Sequence, residues 1–537
     1  MSSNHRTEGN AAPKVVLGNT PKTVIAFPYS GDYRVDVLID GPLEKWSPKL
    51  AAGQDRTITY SFAMAEGYLS GSNYAEERDG FTPFTQAEKT AARNILAYIS
   101  SIVPITFVEV VETTLANSPV GDIRMANNKQ ATSAGYAFSP SSTSSDLQLQ
   151  GDIFMANAAI KESFAAGTFE YDTLIHEIAH AIGLKHPGNY NAGSEPSKEP
   201  GNYLATSEDS KMLSVVSYAE HEDYLQRIDF GPYDLLALKY LYGLKPQNLG
   251  DNTYAWTDSI GGQLQTLVDD DGRDTIDLKN ITQATVLDLR EGYSSDVGTW
   301  SYEEITNLPS QKNLQIAFGT LIEVVLGSNQ ADKITGNASN NLFEGRGGND
   351  VLDGGDGRDT AVWSGAFSQY KLSNIQNAYT VEATTGTEGK DQVRNIERLK
   401  FQDQSLALDM AGNAGLTAKV LSAVFGKAAL SNKQYVGIGL YYLDDLSFSY
   451  SNLLQLAINA SLGANPSHDQ VVNLLYTNVI GQAPDTATRK VYTDLLDNQT
   501  YTVAGLAVLA ADTDYNKANV NLVGLAQTGL AYLPFPS

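Results

Sequence analysis

Apolar and polar residues alternate through Thr57-Ile58-Thr59-Tyr60-Ser61-Phe62, which predicts a half-buried strand, and apolar residues recur at helical spacing from Gln86 to Ile102. Thr85 is the expected N-cap of that helix, with Glu88 three residues on to complete a capping box. Two short runs, Asp122-Ile123-Arg124-Met125 and Asp152-Ile153-Phe154-Met155, predict strands between loops rich in Gly, Ser and Asn. The stretch Pro232 to Gly243 predicts a helix ended by its glycine. Helices and strands mixed in this way up to about residue 245 indicate an α/β or α+β domain. Before it, residues 1–30 are polar and lack a clear period, as expected of a flexible leader or short propeptide.

A period of nine takes over at Gly327, in unbroken register through Gly336, Gly345 and Gly354. The sixth position is Asp332, Asn341, Asp350 or Asp359, and the eighth is Ile334, Phe343, Leu352 or Ala361. This resembles the RTX nonapeptide of parallel β-rolls, in which each repeat gives a tight turn and a short strand with the eighth residue inward. Carboxylates and backbone carbonyls in such turns are hard oxygen ligands that suit calcium. Two repeats make one coil, so the resemblance pairs Asp332 with Asp350 and Asn341 with Asp359, and it brings in Gly345, Gly347, Gly354 and Asp356. Segments around Asp271 and Asp274, and around Asp391, look like isolated half-sites flanking the roll. Without calcium, mutual repulsion of these carboxylates is expected to keep the roll open.

After Asp409 the pattern becomes helical again, with Leu416, Val420, Leu421, Val424 and Phe425, then Val471, Leu474, Leu475 and Val479, at helical spacing. A small all-α bundle is expected over residues 411–537. The stretch Leu474 to Asp485 resembles a helical module of unknown function found in other exported bacterial proteins, and a role in secretion or in attachment to a surface layer or matrix is the expectation. The apolar run Thr502 to Ala511 is far shorter than the ~20 residues that span a bilayer, so no transmembrane segment is expected there.

Composition narrows the partners. The 537 residues include 37 basic and 62 acidic ones, a formal charge of -25, which disfavours nucleic acid and anionic membrane surfaces. The length exceeds what one core serves and predicts two to four domains. Cysteine is absent, so calcium is the expected staple of the repeats. The first residues, Met-Ser-Ser-Asn-His-Arg, lack the apolar core of an ordinary signal peptide, and export is expected to use a C-terminal or internal signal.

The chemistry concentrates in His176-Glu177-Ile178-Ala179-His180-Ala181-Ile182-Gly183-Leu184-Lys185-His186, which holds three of the six histidines. On a helix, His176 and His180 project from one face and reach one ion. Gly183 can turn the chain in a left-handed conformation so that His186 returns as third ligand. Three protein ligands and an open position suit a catalytic zinc site. Glu177, beside the metal without binding it, is placed to take a proton from an activated water.

This segment resembles the metzincin zinc endopeptidases, and the His-Pro-Gly-Asn-Tyr at 186–190 is similar to the serralysins within that clan. The resemblance implies a turn beneath the metal, found here as Ser214-Val215-Val216-Ser217-Tyr218, with Val216 where the family has methionine. Valine should leave a smaller, stiffer floor. By the same resemblance Tyr218 is a displaceable fourth ligand that later bonds the oxyanion, and Ala134-Gly135-Tyr136-Ala137 is an edge strand that pairs with substrate.

The expected organisation is multidomain: a leader at 1–30, an α/β (α+β) metzincin catalytic domain at 31–245, an RTX β-roll at 246–410 and the all-α module at 411–537. The expected function is a secreted zinc metalloendopeptidase with one catalytic zinc and several structural calcium ions. It would act on proteins and peptides outside a Gram-negative cell, after export by type I machinery without a signal peptide, and a small protein inhibitor is a further possible partner. A vestigial protease serving as a calcium-dependent adhesin or matrix protein is the alternative, motivated by Val216 and the extra module. A zinc hydrolase for polysaccharide or lipid is a weaker third reading.

Overall fold

The computed structural model describes residues 28–39, 56–69, 74–114, 119–140, 149–157, 163–190, 202–302, 305–375 and 378–536, with two short strands at Thr23–Ile25 and Lys45–Ser47. Most of the expected leader, residues 1–22, lies outside them. The architecture is multidomain, with mixed sheets, helices and nonapeptide repeats. Its two compact units are residues 1–252, 256–274 and 286–321, and residues 253–255, 275–285 and 322–537.

In the first unit, strands Ile105–Glu109, Arg56–Phe62, Ile123–Asn128, Ile153–Ala156 and Gly135–Ala137 form one sheet in that order. The first four are parallel, and the last runs antiparallel at the edge. The helix Gln86–Ile102 begins at the expected capping box, with Thr85 and Glu88 bonding each other's backbone. It buries Ala92, Ile95, Leu96 and Ile99 in the core that also holds Ile58, Ile105, Ile123, Leu174 and Ile178. Each buried Ile or Leu among them contributes roughly 1.5–3 kcal/mol. A second helix, Phe169–Ala181, is capped by Thr168 and is buried along nearly its whole length. That full burial explains why its sequence shows no clean amphipathic stripe.

The second unit is built from the repeats. Strands Thr253–Ala255, Thr275–Asp277, Val324–Leu326, Leu342–Glu344, Thr360–Val362 and Arg398–Lys400 lie side by side, parallel and in register. The alternate repeats, Lys333–Thr335 and Val351–Asp353, join Lys390–Arg394 in a second parallel array. Ile334, Phe343, Leu352 and Ala361 are all at most 1% exposed, so every eighth position points inward as its apolar character predicts. Helices from Asn413–Phe425 to Leu522–Thr528 follow, packed on Val424, Leu454, Ile458, Val471 and Leu475. The chain then returns as a strand, Leu530–Tyr532, antiparallel to Ser405–Ala407. Among the described residues no helix is long and apolar enough to cross a membrane.

Candidate active site and calcium turns

His176 and His180 stand one turn apart on the buried helix Phe169–Ala181. Gly183 follows with φ 107°, a conformation that costs other residues energy, and the chain turns back to deliver His186. The three Nε2 atoms converge: His176 and His186 are 3.2 Å apart, and His180 is 3.1 Å from each. The opposite ring nitrogens are anchored, His176 Nδ1 at 2.9 Å from the Val215 carbonyl and His180 Nδ1 at 2.7 Å from that of Leu184. A carbonyl only accepts, so each Nδ1 carries the proton and each Nε2 turns a lone pair toward the common centre. Burial and mutual repulsion hold His176 and His186 well below the usual imidazole value, and burial takes His180 down to about 4. Three neutral imidazoles aimed at one point fit a metal ion, and they are the one such cluster among the described residues.

Glu177 is buried beside them, with no hydrogen-bond partner for Oε2. Burial pushes its carboxyl up to about 8. The strand Gly135–Ala137 packs against the same helix and is the last strand of the sheet among the described residues. Tyr218 is partly exposed and stacks on His176, its ring parallel within 2° at 5.4 Å. Burial raises its phenol above the usual value, so the hydroxyl stays a donor near neutrality.

The floor of the site was only half legible. Val216 is fully buried, but the turn is fixed by polar groups that no motif marked. Asp234 accepts from Ser214 Oγ at 2.6 Å, Val215 N at 2.7 Å and Gly231 N at 2.8 Å. Tyr190 hydroxyl accepts from Tyr218 N at 2.9 Å and donates to Asp209, whose Oδ1 also takes Ser217 Oγ at 2.6 Å. Proximity of Asp234 to the Pro232 helix start is the only sequence signal that pointed to the first of these.

In the repeats, sixth-position side chains form two ladders. Thr285 N donates to Asp332, Asp332 N to Asp350 and Asp350 N to Asp391, at 2.8–2.9 Å. On the other ladder Asn341 N donates to Asp359 at 2.7 Å and Asp359 N to Glu397 at 2.8 Å. The expected eighteen-residue pairs are thus adjacent. Asp391 continues its ladder directly, and Glu397 is a member that the nonapeptide period did not reveal. Asp350 and Asp359 are fully buried, and each keeps an Oδ2 without a hydrogen-bond partner. Burial raises their carboxyls to about 8 and about 7. Oxygen atoms so placed fit a hard cation. Gly345 and Gly354 leave room there, since a Cβ would stand 2.2 Å and 2.3 Å from those same oxygens. Gly347 is less confined, Asp356 is exposed, and in the first unit Asp271 is exposed while Asp274 is buried and accepts from Asn252 N.

Residues 326–361 match the model of the RTX calcium-binding nonapeptide repeat, in four copies. The chain is 31% identical to a serralysin of Proteus mirabilis over 322 residues, 56% of this chain and 63% of that protein. It is 28% identical to serralysin G of Dickeya chrysanthemi, over 56% of this chain and 63% of that one. Metalloprotease AprA of Pseudomonas entomophila is 26% identical over 58% of this chain and 66% of its own. The chain spans less than two thirds of the length of each of these relatives. Over the matched part the chain is similar to the serralysins, and it carries RTX calcium-binding repeats.

Proposed function

We propose that this protein is a secreted zinc metalloendopeptidase stabilised by calcium, with a metzincin-type catalytic domain at 31–245, a β-roll at 246–410 and a helical module at 411–537 that serves secretion or surface attachment. The observation that carries the reading is the convergence of three Nε2 lone pairs beside a buried carboxylate oxygen that lacks a partner. His176, His180 and His186 would hold the zinc, and Tyr218 would be a fourth, displaceable ligand. A zinc ion there supplies Lewis acidity to polarise the scissile carbonyl and acidify a water.

The residues of the chain do the rest. Glu177 accepts a proton as the water oxygen bonds to the carbonyl carbon, and returns it to the amine nitrogen as the C–N bond breaks. Tyr218 donates its hydroxyl to the oxygen that gains negative charge. An extended peptide lies along residues 134–137 and hydrogen-bonds their backbone, which makes recognition tolerant of side chains. Extracellular proteins are the substrates, and export follows the type I route from a Gram-negative cell. Calcium is held within the repeats that run from Asp332 to Asp391, where Asp350 and Asp359 each keep a carboxylate oxygen without a protein donor, and by the turns around Asp271 and Asp274.

Cleavage of casein by calcium-refolded protein tests this, with and without a zinc chelator and beside Glu177→Ala. Activity should vanish with chelator and in the variant, while the variant still binds zinc. A folded, zinc-loaded wild type that cleaves nothing would sink the reading.

A further inference from the structure

The four nonapeptide turns are of two kinds. In turns 327–332 and 336–341 the second residue closes back on the sixth: Ser328 N donates to Asp332 Oδ2 at 2.7 Å, and Asn337 N to Asn341 Oδ1 at 3.0 Å. The other oxygen of Asp332 takes Thr285 N at 2.8 Å and Ser328 Oγ at 3.0 Å. Asn341 also spends its amide, since Nδ2 donates to the Ile322 carbonyl at 2.8 Å, and Asn337 Nδ2 reaches that same carbonyl at 3.0 Å. Every side-chain oxygen at the sixth position of these two turns therefore has a protein donor.

Turns 345–350 and 354–359 are built otherwise. Their second residues are left-handed, Arg346 at φ 67° and Gly355 at φ 88°, and their fourth, Gly348 and Gly357, both lie at φ 118°. No N–H closes on the sixth residue's second oxygen, and Oδ2 of Asp350 and of Asp359 is buried and unpartnered. An unmatched carboxylate oxygen in the interior is costly unless a cation meets it. The Ile322 carbonyl already accepts two amide N–H groups, so its lone pairs are taken by protein donors.

We propose that this stretch takes calcium only through the Asp350 and Asp359 carboxylates, and that turns 327–332 and 336–341 are closed without metal by their own N–H groups. The inference rests on the calcium reading above and divides the repeats within it. Asp332 and Asn341 are then structural, and the first two turns are a preformed edge on which the calcium-dependent turns assemble.

Calorimetric titration of chelator-stripped full chain with calcium chloride, read as ions bound per chain, tests it. Asp350→Asn and Asp359→Asn should each lower the number by about one, whereas Asp332→Asn should leave it unchanged. The double variant Asn337→Gly, Asn341→Asp removes both amide donors and lets residue 337 take the left-handed conformation of Gly355, which swings its N–H off the sixth residue, and it should raise the number by about one. A loss in Asp332→Asn equal to that in Asp350→Asn overturns the proposal, as does no gain in a double variant that circular dichroism shows to be folded. If the double variant does not fold, the comparison of Asp332→Asn with Asp350→Asn decides. A folded wild type that binds no calcium overturns the calcium reading itself, and this inference with it.

Discussion

A methyl group on Gly135 would stand 2.9 Å from Glu177 Cγ and 3.1 Å from Glu177 Oε1, with Met155 Sδ also at 3.1 Å. The edge strand thus passes the buried carboxylate so closely that only glycine leaves it undisturbed. The strand expected to bind substrate and the carboxylate expected to move its proton constrain each other. Gly135→Ala should keep fold and zinc content but displace Glu177 by some tenths of an ångström. Misplacements on the scale of 1 Å can cost about a hundredfold in rate, so a drop in kcat of roughly tenfold is expected. Steady-state kinetics on a peptide, with zinc measured by atomic absorption, checks it. An unchanged kcat would show that Glu177 yields harmlessly or is not the base.

Asp234 holds Val215 by its N–H while Val215 holds His176 by its carbonyl, so the carboxylate acts on the metal site through one residue. Asp234→Ala should loosen that carbonyl and let the His176 ring turn. Loss of such outer partners typically weakens metal binding by about 10–100-fold. Competition with a chromogenic zinc chelator measures this directly. Zinc affinity equal to wild type in a folded variant would show that packing around Val216 suffices to fix the turn.

What the sequence made legible follows local physics. The capping box at Thr85 and Glu88, the positive φ of Gly183 and the burial of Ile334, Phe343, Leu352 and Ala361 all depend on residues within a few positions of one another. Glu397 was hidden because the hairpin Tyr370–Ile375 and Ala378–Ala383 interrupts the period of nine before the ladder resumes. Asp234 and Asp209 were hidden for a related reason: their partners lie on a separate turn, and one sequence carries no mark of such pairing. The strand Leu530–Tyr532 pairs with residues more than a hundred positions earlier, beyond any periodicity.

Lys211 and Asp172 form a buried ion pair at 2.8 Å, with side chains 5% and 3% exposed. Burial holds the Asp172 carboxyl above its ordinary value even beside the Lys211 ammonium. Lys211→Met would raise it further and should destabilise the protein by about 3–5 kcal/mol at neutral pH, the usual cost of orphaning a buried charge. The pH dependence has a definite sign. A carboxyl whose folded pKa lies above its unfolded one keeps a proton that the unfolded chain releases, so stability falls as pH rises between the two. The deficit of the variant should therefore be smallest near pH 4 and grow toward neutrality. Urea unfolding across that range tests it, and a deficit independent of pH would assign the loss to packing rather than charge.

Arg398, in the last parallel strand of the repeats, lies 2.7 Å from Asp444 in the helix Lys433–Asp444, and both side chains are 3% exposed. Asp409 supplies a second carboxylate to the same guanidinium. Together with the returning strand Leu530–Tyr532, this pair makes the helical segment part of the folded unit that contains the repeats. Removing residues 411–537 would expose the Ser405–Ala407 edge and leave Arg398 short of a partner, two separate sources of instability. The truncated chain is expected to lose its cooperative calcium-induced transition, or to undergo it only at higher calcium. Asp444→Ala alone should cost about 3–5 kcal/mol, much of it regained when Arg398→Met is added. Calcium titrations followed by circular dichroism on these variants decide the matter, and an unaltered transition in the truncated chain would make the helical segment an independent module.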